Sequence, residues 1–132
     1  MDSFTVRTSR RDEMVDVTRQ VSEIVRQANA GGGLCVVFVP HTTAGVTINE
    51  HADPDVVRDV ITALDRMVPW DGPYLHGEGN SAAHVKASVV GSSVAVPVGG
   101  GKLQLGTWQG IFLCEFDGPR SRQVWVSLVA ES

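Results

Sequence analysis

The sequence predicts an α+β fold: one domain with a mixed, mainly antiparallel sheet and two to three helices. Three observations carry this. Two segments place apolar residues at helical spacing, and a third short segment is bracketed by Ser81 and Gly91. β-branched and alternating runs mark most of the rest. The last of these runs cluster as hairpins after position 92 instead of alternating with helices, which argues against a doubly wound sheet. The 132 residues suit a single domain spanning 1–132, enough to bury about two-thirds of the unfolded surface.

The elements follow in order. Phe4 to Arg7 alternates and reads as a short strand. Asp16 to Ala30 reads as a helix, with Val17, Val21, Ile24, Val25 and Ala28 on one face and Gly31 to Gly33 ending it. Leu34 to Val39 is a buried strand closed by Pro40, and Thr43 to Ile48 is a second, β-branched strand. Asp53 caps a helix with Pro54 at its first position, where a missing N–H costs nothing; Pro69 stops it. Its core stripe is Val56, Val57, Val60, Ile61, Leu64 and Met67. Trp70 to Asn80 is a loop rich in glycine and proline, and Ser81 caps a short helix through Val90. Strands then run Ser93–Val98, Lys102–Leu105, Gln109–Phe116 and Gln123–Ala130, with turns at Gly99–Gly101 and Asp117–Pro119.

Hydrophobic residues at 42% and charged residues at 20% exclude a disordered chain. The net charge is -4 and no basic cluster is longer than Arg10-Arg11, so a nucleic-acid partner is not expected, although Arg120 and Arg122 leave room for a local basic pocket. Met1 to Asp16 is polar, and no apolar run approaches the ~20 residues of a membrane span, so the expectation is a cytoplasmic protein with no membrane partner. Cys35 and Cys114 each sit in an apolar run and read as buried reduced thiols.

The polar residues that can carry chemistry gather where strands end. His41-Thr42-Thr43 follows one strand and Asn49-Glu50-His51 the next; His76 lies in the glycine loop and His84 on the helix after it. All 4 histidines fall between positions 41 and 84. A loop can bring His76 and His84 together, and His41 at a strand end can supply a third ligand to an open catalytic site for zinc or another divalent ion. Surface or packing histidines are the competing reading. His51, next to the Asp53 cap, is read as exposed.

Other motifs fail. His76-Gly77-Glu78 lacks the P-C-x-x-C of zinc deaminases, there is no H-E-x-x-H or G-x-S-x-G, and Gly99-Gly100-Gly101-Lys102 reads as a hairpin turn. Trp108 and Gln109 lie in a glycine-bracketed stretch that either lets a ligand approach or forms a bulge. Glu115 interrupts an apolar strand, and a buried carboxylate needs a partner; Arg122, across the Asp117–Pro119 turn, is the candidate. That pair is either a structural ion pair or a catalytic base beside a phosphate-gripping arginine.

Three stretches are similar to the signature of YjbQ-like proteins: His41 to Glu50 followed by Asp53-Pro54-Asp55, Ala83 to Ser88, and Leu105 to Ile111. The resemblance covers nearly the whole chain. It implies a compact α+β domain assembled as a homotrimer, with a polar site near the subunit contacts. It also implies a divalent metal, zinc foremost with magnesium or manganese as alternatives, on His41, His76 and His84. The family carries the name secondary thiamine-phosphate synthase. The chain departs from the family pattern at His51, where asparagine is expected, and in its shorter loop from His76 to His84.

The expected function is therefore a metal-dependent enzyme acting on a phosphorylated small molecule. Arg122, Thr42, Thr43, Trp108 and Gln109 would bind substrate; Asn49 would orient it, and Glu115 or Glu50 would be the base. The alternative is a non-catalytic trimeric protein that binds a metal or anion.

Overall fold

The computed structural model describes residues 1–131. Their elements run β1 (Asp2–Arg7), β2 (Glu13–Asp16), α1 (Thr18–Ala28), β3 (Gly33–Phe38), β4 (Ala44–Glu50), α2 (Pro54–Met67), α3 (Ser81–Val90), β5 (Ser93–Gly99), β6 (Lys102–Leu103), β7 (Gln109–Glu115) and β8 (Ser121–Ala130). This is the α+β class that the sequence predicts, with two sheets in place of one. Five strands order as β1-β8-β3-β5-β6 and three as β2-β7-β4.

Among the described residues every strand pairing is antiparallel, so the parallel component of the expected mixed sheet is not found there. The connectivity gives the reason. A parallel pair needs a crossover that returns to its own sheet. Here α1 leads from β2 in the small sheet to β3 in the large one, and α2 and α3 lead from β4 in the small sheet to β5 in the large one.

Element ends differ from expectation where tertiary contacts override local signals. Glu13 to Asp16 pairs with β7, from Glu13 opposite Glu115 to Asp16 opposite Phe112, and becomes a strand that its polar composition hides. The first helix therefore starts at Thr18. It stops at Asn29, which takes the left-handed conformation at φ 51 ahead of the glycines. The Asp53 side chain accepts the Asp55 N–H as the cap rule requires. Asn80, rather than Ser81, precedes α3, and its side-chain amide donates to Asp117 instead of accepting from the helix.

The small sheet is buried on both faces. Ile111 and Leu113 of β7 join Val46, Val37, Val124, Val126 and the α1 valines in the core between the sheets. Phe112, Cys114 and Phe116 point the other way, against Ala83 and Ala87 of α3. This alternation is the strand period of two applied to a layer covered on both sides. Helix α2 lies over the same outer face but has no fully buried residue. No helix among the described residues is long and apolar enough to cross a membrane.

Candidate functional site

His41 and Thr42 occupy the short link between β3 and β4, and His84 and Ser88 stand one turn apart on α3. Together they line a cavity of about 300 Å³. Gly45 fixes the approach of the two walls. The Gly91 carbonyl at the end of α3 accepts the Val46 N–H at 3.0 Å, and a Cβ on Gly45 would lie 2.5 Å from that oxygen. Only glycine lets α3 end this close to β4.

His76 packs its ring edge-on against His84, with centroids 5.4 Å apart. Two imidazoles on one tetrahedral ion, at metal–nitrogen distances near 2.0–2.1 Å, hold their ring centres roughly 5 Å apart. The pair is spaced accordingly. His41 is not yet part of it: its Nε2 accepts the Gln123 backbone N–H at 2.8 Å. Among the described residues no three His, Cys, Asp or Glu side chains form a group that could hold a metal ion. Imidazole donors suit zinc in kind, but the three expected ligands do not close on one point within one chain.

Burial holds His41 below the usual histidine range, and the charges of Arg122 and Arg120 push the same way against an opposing pull from Glu115. The neutral ring, accepting at Nε2, carries its proton on Nδ1. In this arrangement His41 offers a hydrogen-bond donor.

Glu115 and Arg122 lie behind this cavity and are spent on one another. The pairing crosses between sheets, because β7 and β8 are not neighbours in either one. Arg122 Nε donates to Glu115 Oε1 at 2.9 Å, and Arg122 Nη2 donates to Glu115 Oε2. The same Nη2 donates to the Thr43 carbonyl and hydroxyl oxygens. Glu115 also accepts from the Thr8 hydroxyl and the Asp117 N–H. Glu115 is 0% exposed and Arg122 3%. With these partners, neither a free base nor an open phosphate grip is presented, and Thr43 is part of the same buried frame.

The remaining expected residues gather elsewhere. Ala44 at the start of β4 lines the histidine cavity, whereas Asn49 and Glu50 end the strand opposite Gly110 and Gln109. Six residues of strand separate the two ends, roughly 20 Å. Asn49 accepts the Glu50 N–H, and Gln109 accepts the Gly106 N–H to close its own turn. Trp108 is 63% exposed. The structure divides the expected single site between two ends of the small sheet.

Two groups escape the sequence reading. Lys86 of α3 is fully buried, its Nζ 2.7 Å from Asp12 and 2.9 Å from Asp65. A signal existed: Lys86 follows Ala83 by three residues, on the stripe that α3 turns inward. His51 is exposed, as the sequence reading expects, but that reading does not foresee that its Nδ1 pairs with Asp16 Oδ2 at 2.9 Å. Asp16 also accepts from Thr18 N and Oγ1; burial alone would raise this carboxyl, and the hydrogen bonds hold it below its usual value.

Residues 2–131 match the family model described as UPF0047 protein YjbQ-like. The chain is 46% identical to the UPF0047 protein YugU of Bacillus subtilis over 130 residues, covering 98% of both chains. It is 44% identical to a UPF0047 protein of Methanocaldococcus jannaschii, over 97% of this chain and 93% of that one. Among solved structures, an uncharacterised YjbQ/UPF0047 protein of Clostridium acetobutylicum superposes with a TM-score of 0.96 at 50% identity, covering 98% of this chain and 100% of that one. A protein of unknown function from Sulfolobus solfataricus gives 0.95 at 38% identity, over 98% and 96% of the two chains.

Proposed function

The chain belongs to the UPF0047 YjbQ-like family, and from that premise we propose a metal-dependent enzyme acting on a phosphorylated small molecule at the histidine cavity. One observation carries the proposal: His84 shares a cavity with His41 and is in ring contact with His76. His76 and His84 would hold a divalent ion, zinc foremost and magnesium or manganese next; His41 would join them on releasing the Gln123 N–H. When bound, the ion would neutralise charge developing on phosphate oxygens. The chain's own contribution is the His41 donor and the exposed Thr42 hydroxyl, which can orient those oxygens. Glu115 and Arg122 hold the wall behind them.

The finer form of the reading is a transfer of the thiamine-phosphate synthase type, joining a pyrimidine methyl pyrophosphate to a thiazole phosphate with release of pyrophosphate. Incubation with both precursors and zinc tests it. Thiamine phosphate and pyrophosphate should form together, and His84→Ala should slow the reaction roughly a hundredfold while the chain stays folded. No product with any of the three metals removes the thiamine assignment.

Self-association as a homotrimer is part of this proposal. It is supported by an apolar strip on the outer face of the large sheet, where Leu34 faces Val129 and Phe38 faces Trp125 in register. All four are at least 36% exposed, and the Phe38 and Trp125 rings lie 5.8 Å apart. Light scattering of the purified chain reads the mass directly. The proposal also carries a cytoplasmic location, supported by two buried free thiols.

A non-catalytic trimer that binds a metal or anion is the second reading. It is favoured by one observation: of the expected bases, Glu115 is buried in an ion pair and Glu50 stands at the far end of β4. Metal or phosphate binding without turnover would select it.

A further inference from the structure

We propose that Asp16 and His51 form a general-base dyad and that the cavity beside them hydrolyses a small uncharged ester. This activity does not depend on the histidine cavity, with which the cavity at His51 shares no lining residue.

The pair has the arrangement that an imidazole base requires. Asp16 Oδ2 lies 2.9 Å from His51 Nδ1. A carboxylate can only accept, so the neutral ring carries its proton on Nδ1 and its lone pair on Nε2. Burial alone would raise the Asp16 carboxyl, but the bonds from Thr18 and His51 outweigh it and keep the group ionised. An ionised carboxylate behind an imidazole fixes its tautomer and stabilises the imidazolium that forms when Nε2 takes a proton.

Both residues sit on rigid supports. Asp16 ends β2, and the Thr18 hydroxyl that donates to it accepts the Ile111 N–H of β7. The His51 backbone N–H donates to the Trp108 carbonyl at 3.0 Å. A Cβ on Gly110 would lie 2.5 Å from His51 Nδ1, so the ring seats that edge against β7 only because position 110 is glycine. Nε2 is on the other side of the ring and has no hydrogen-bond partner among the described residues.

The cavity sets the substrate. Its volume of about 330 Å³ accepts an aryl ester of a short acid. Its apolar wall is Met14 and Phe112 from the small sheet with Val57 and Ile61 from α2. Its charges nearly balance: Glu13, Asp16 and Asp53 stand against Arg10 and Arg58. Neither an anion nor a cation is favoured by such a lining. An uncharged ester buries its apolar groups on the wall without the cost of desolvating a charge.

Arg10 lines the same cavity, and among the described residues its guanidinium makes no hydrogen bond or ion pair, so it is the free donor for an oxygen that becomes negative. A water oxygen attacks the carbonyl carbon while His51 Nε2 takes one of its protons, and the carbonyl π pair moves onto oxygen. The pair then returns, the C–O bond to the alcohol breaks, and Nε2 gives its proton to the departing alkoxide, leaving the acid and the alcohol.

The test is hydrolysis of p-nitrophenyl acetate by the full chain, beside His51→Gln, Asp16→Asn and Arg10→Ala, with N-acetylhistidine at equal concentration as a free imidazole. Melting curves confirm that each variant is folded; all three positions are exposed and their substitution leaves the core intact. Saturable hydrolysis is expected, about a hundredfold faster than with N-acetylhistidine and about a hundredfold slower again in His51→Gln. Asp16 acts through His51, so Asp16→Asn should lower kcat by about tenfold or more with KM unchanged, whereas a merely loosened pocket would raise KM. Arg10→Ala should also lower kcat. A chain no faster than N-acetylhistidine overturns the proposal. So does full activity in His51→Gln, which would place the hydrolysis elsewhere on the chain, and so does a wild-type kcat in Asp16→Asn.

Discussion

Arg122 and Glu115 meet in the space between two sheets, on strands that do not pair with each other. Arg122 alternates with Val124 and Val126 on the inward side of β8, and Glu115 with Leu113 and Ile111 on the inward side of β7. An ion pair thus stands where the pleat of each strand requires an apolar residue. Thr8, Thr43 and Asp117 complete its hydrogen bonds, and its charges reach His41 in the neighbouring cavity wall.

Breaking that pair should be costly. Arg122→Ala leaves a buried carboxylate without its counter-ion and is expected to lower stability by about 3–5 kcal/mol. The double variant Arg122→Met, Glu115→Leu removes both charges and should recover much of the loss. Urea denaturation of the three chains checks the order; a single variant no worse than the double contradicts it.

Lys86→Ala is expected to cost roughly 3 kcal/mol. The ammonium joins Asp12 before β2, Asp65 on α2 and its own helix, so its loss unties α3 from both neighbours. Amide exchange should rise first along α3, around His84, before the large sheet is affected. Uniform loosening of both sheets would count against this role.

His41 should make stability fall on mild acidification. Its folded-state value is depressed below the ordinary 6.5, so the unfolded chain takes up the proton first as pH falls. The stability that His41 contributes is complete above pH of about 6.5 and is lost as pH drops through its lower folded value. Denaturation midpoints in wild type and His41→Gln at pH 7.5 and 5.5 read this directly; the variant should show the smaller change.

The two thiols should be inert while the chain is folded. Burial pushes Cys35 up to about 11 and Cys114 up to about 12, so neither supplies thiolate near neutral pH. Iodoacetamide at pH 8 should leave both unmodified, and unfolding in guanidinium should expose both. Labelling of either in the folded chain contradicts the burial described here.

Much of the fold is legible because its signals are local. Asp53-Pro54 marks the start of α2, Gly91 the end of α3, and valine-rich runs mark β3 and β5. What is hidden depends on distant partners. Glu13 to Asp16 has no strand composition of its own and becomes one because β7 offers an edge. The division into two sheets follows from where the helices cross, which no window of sequence records. At the site, the nearness of His76 to His84 and the pairing of Glu115 with Arg122 were readable from spacing and from a charge in an apolar strand. The separation of Asn49, Glu50, Trp108 and Gln109 from the histidines was not: residues a few positions apart on β4 lie at opposite ends of an extended strand. Lys86 was masked because a lone lysine in a helix usually faces water.

The most direct test of the central claim is elemental analysis of the purified chain beside a His76→Ala, His84→Ala double variant. The wild type should hold about one zinc, or another divalent ion, per chain and the variant none, with unchanged melting of the core. A chain that takes up no metal even after reconstitution with zinc, manganese or magnesium, or a variant that binds as much as the wild type, would contradict it.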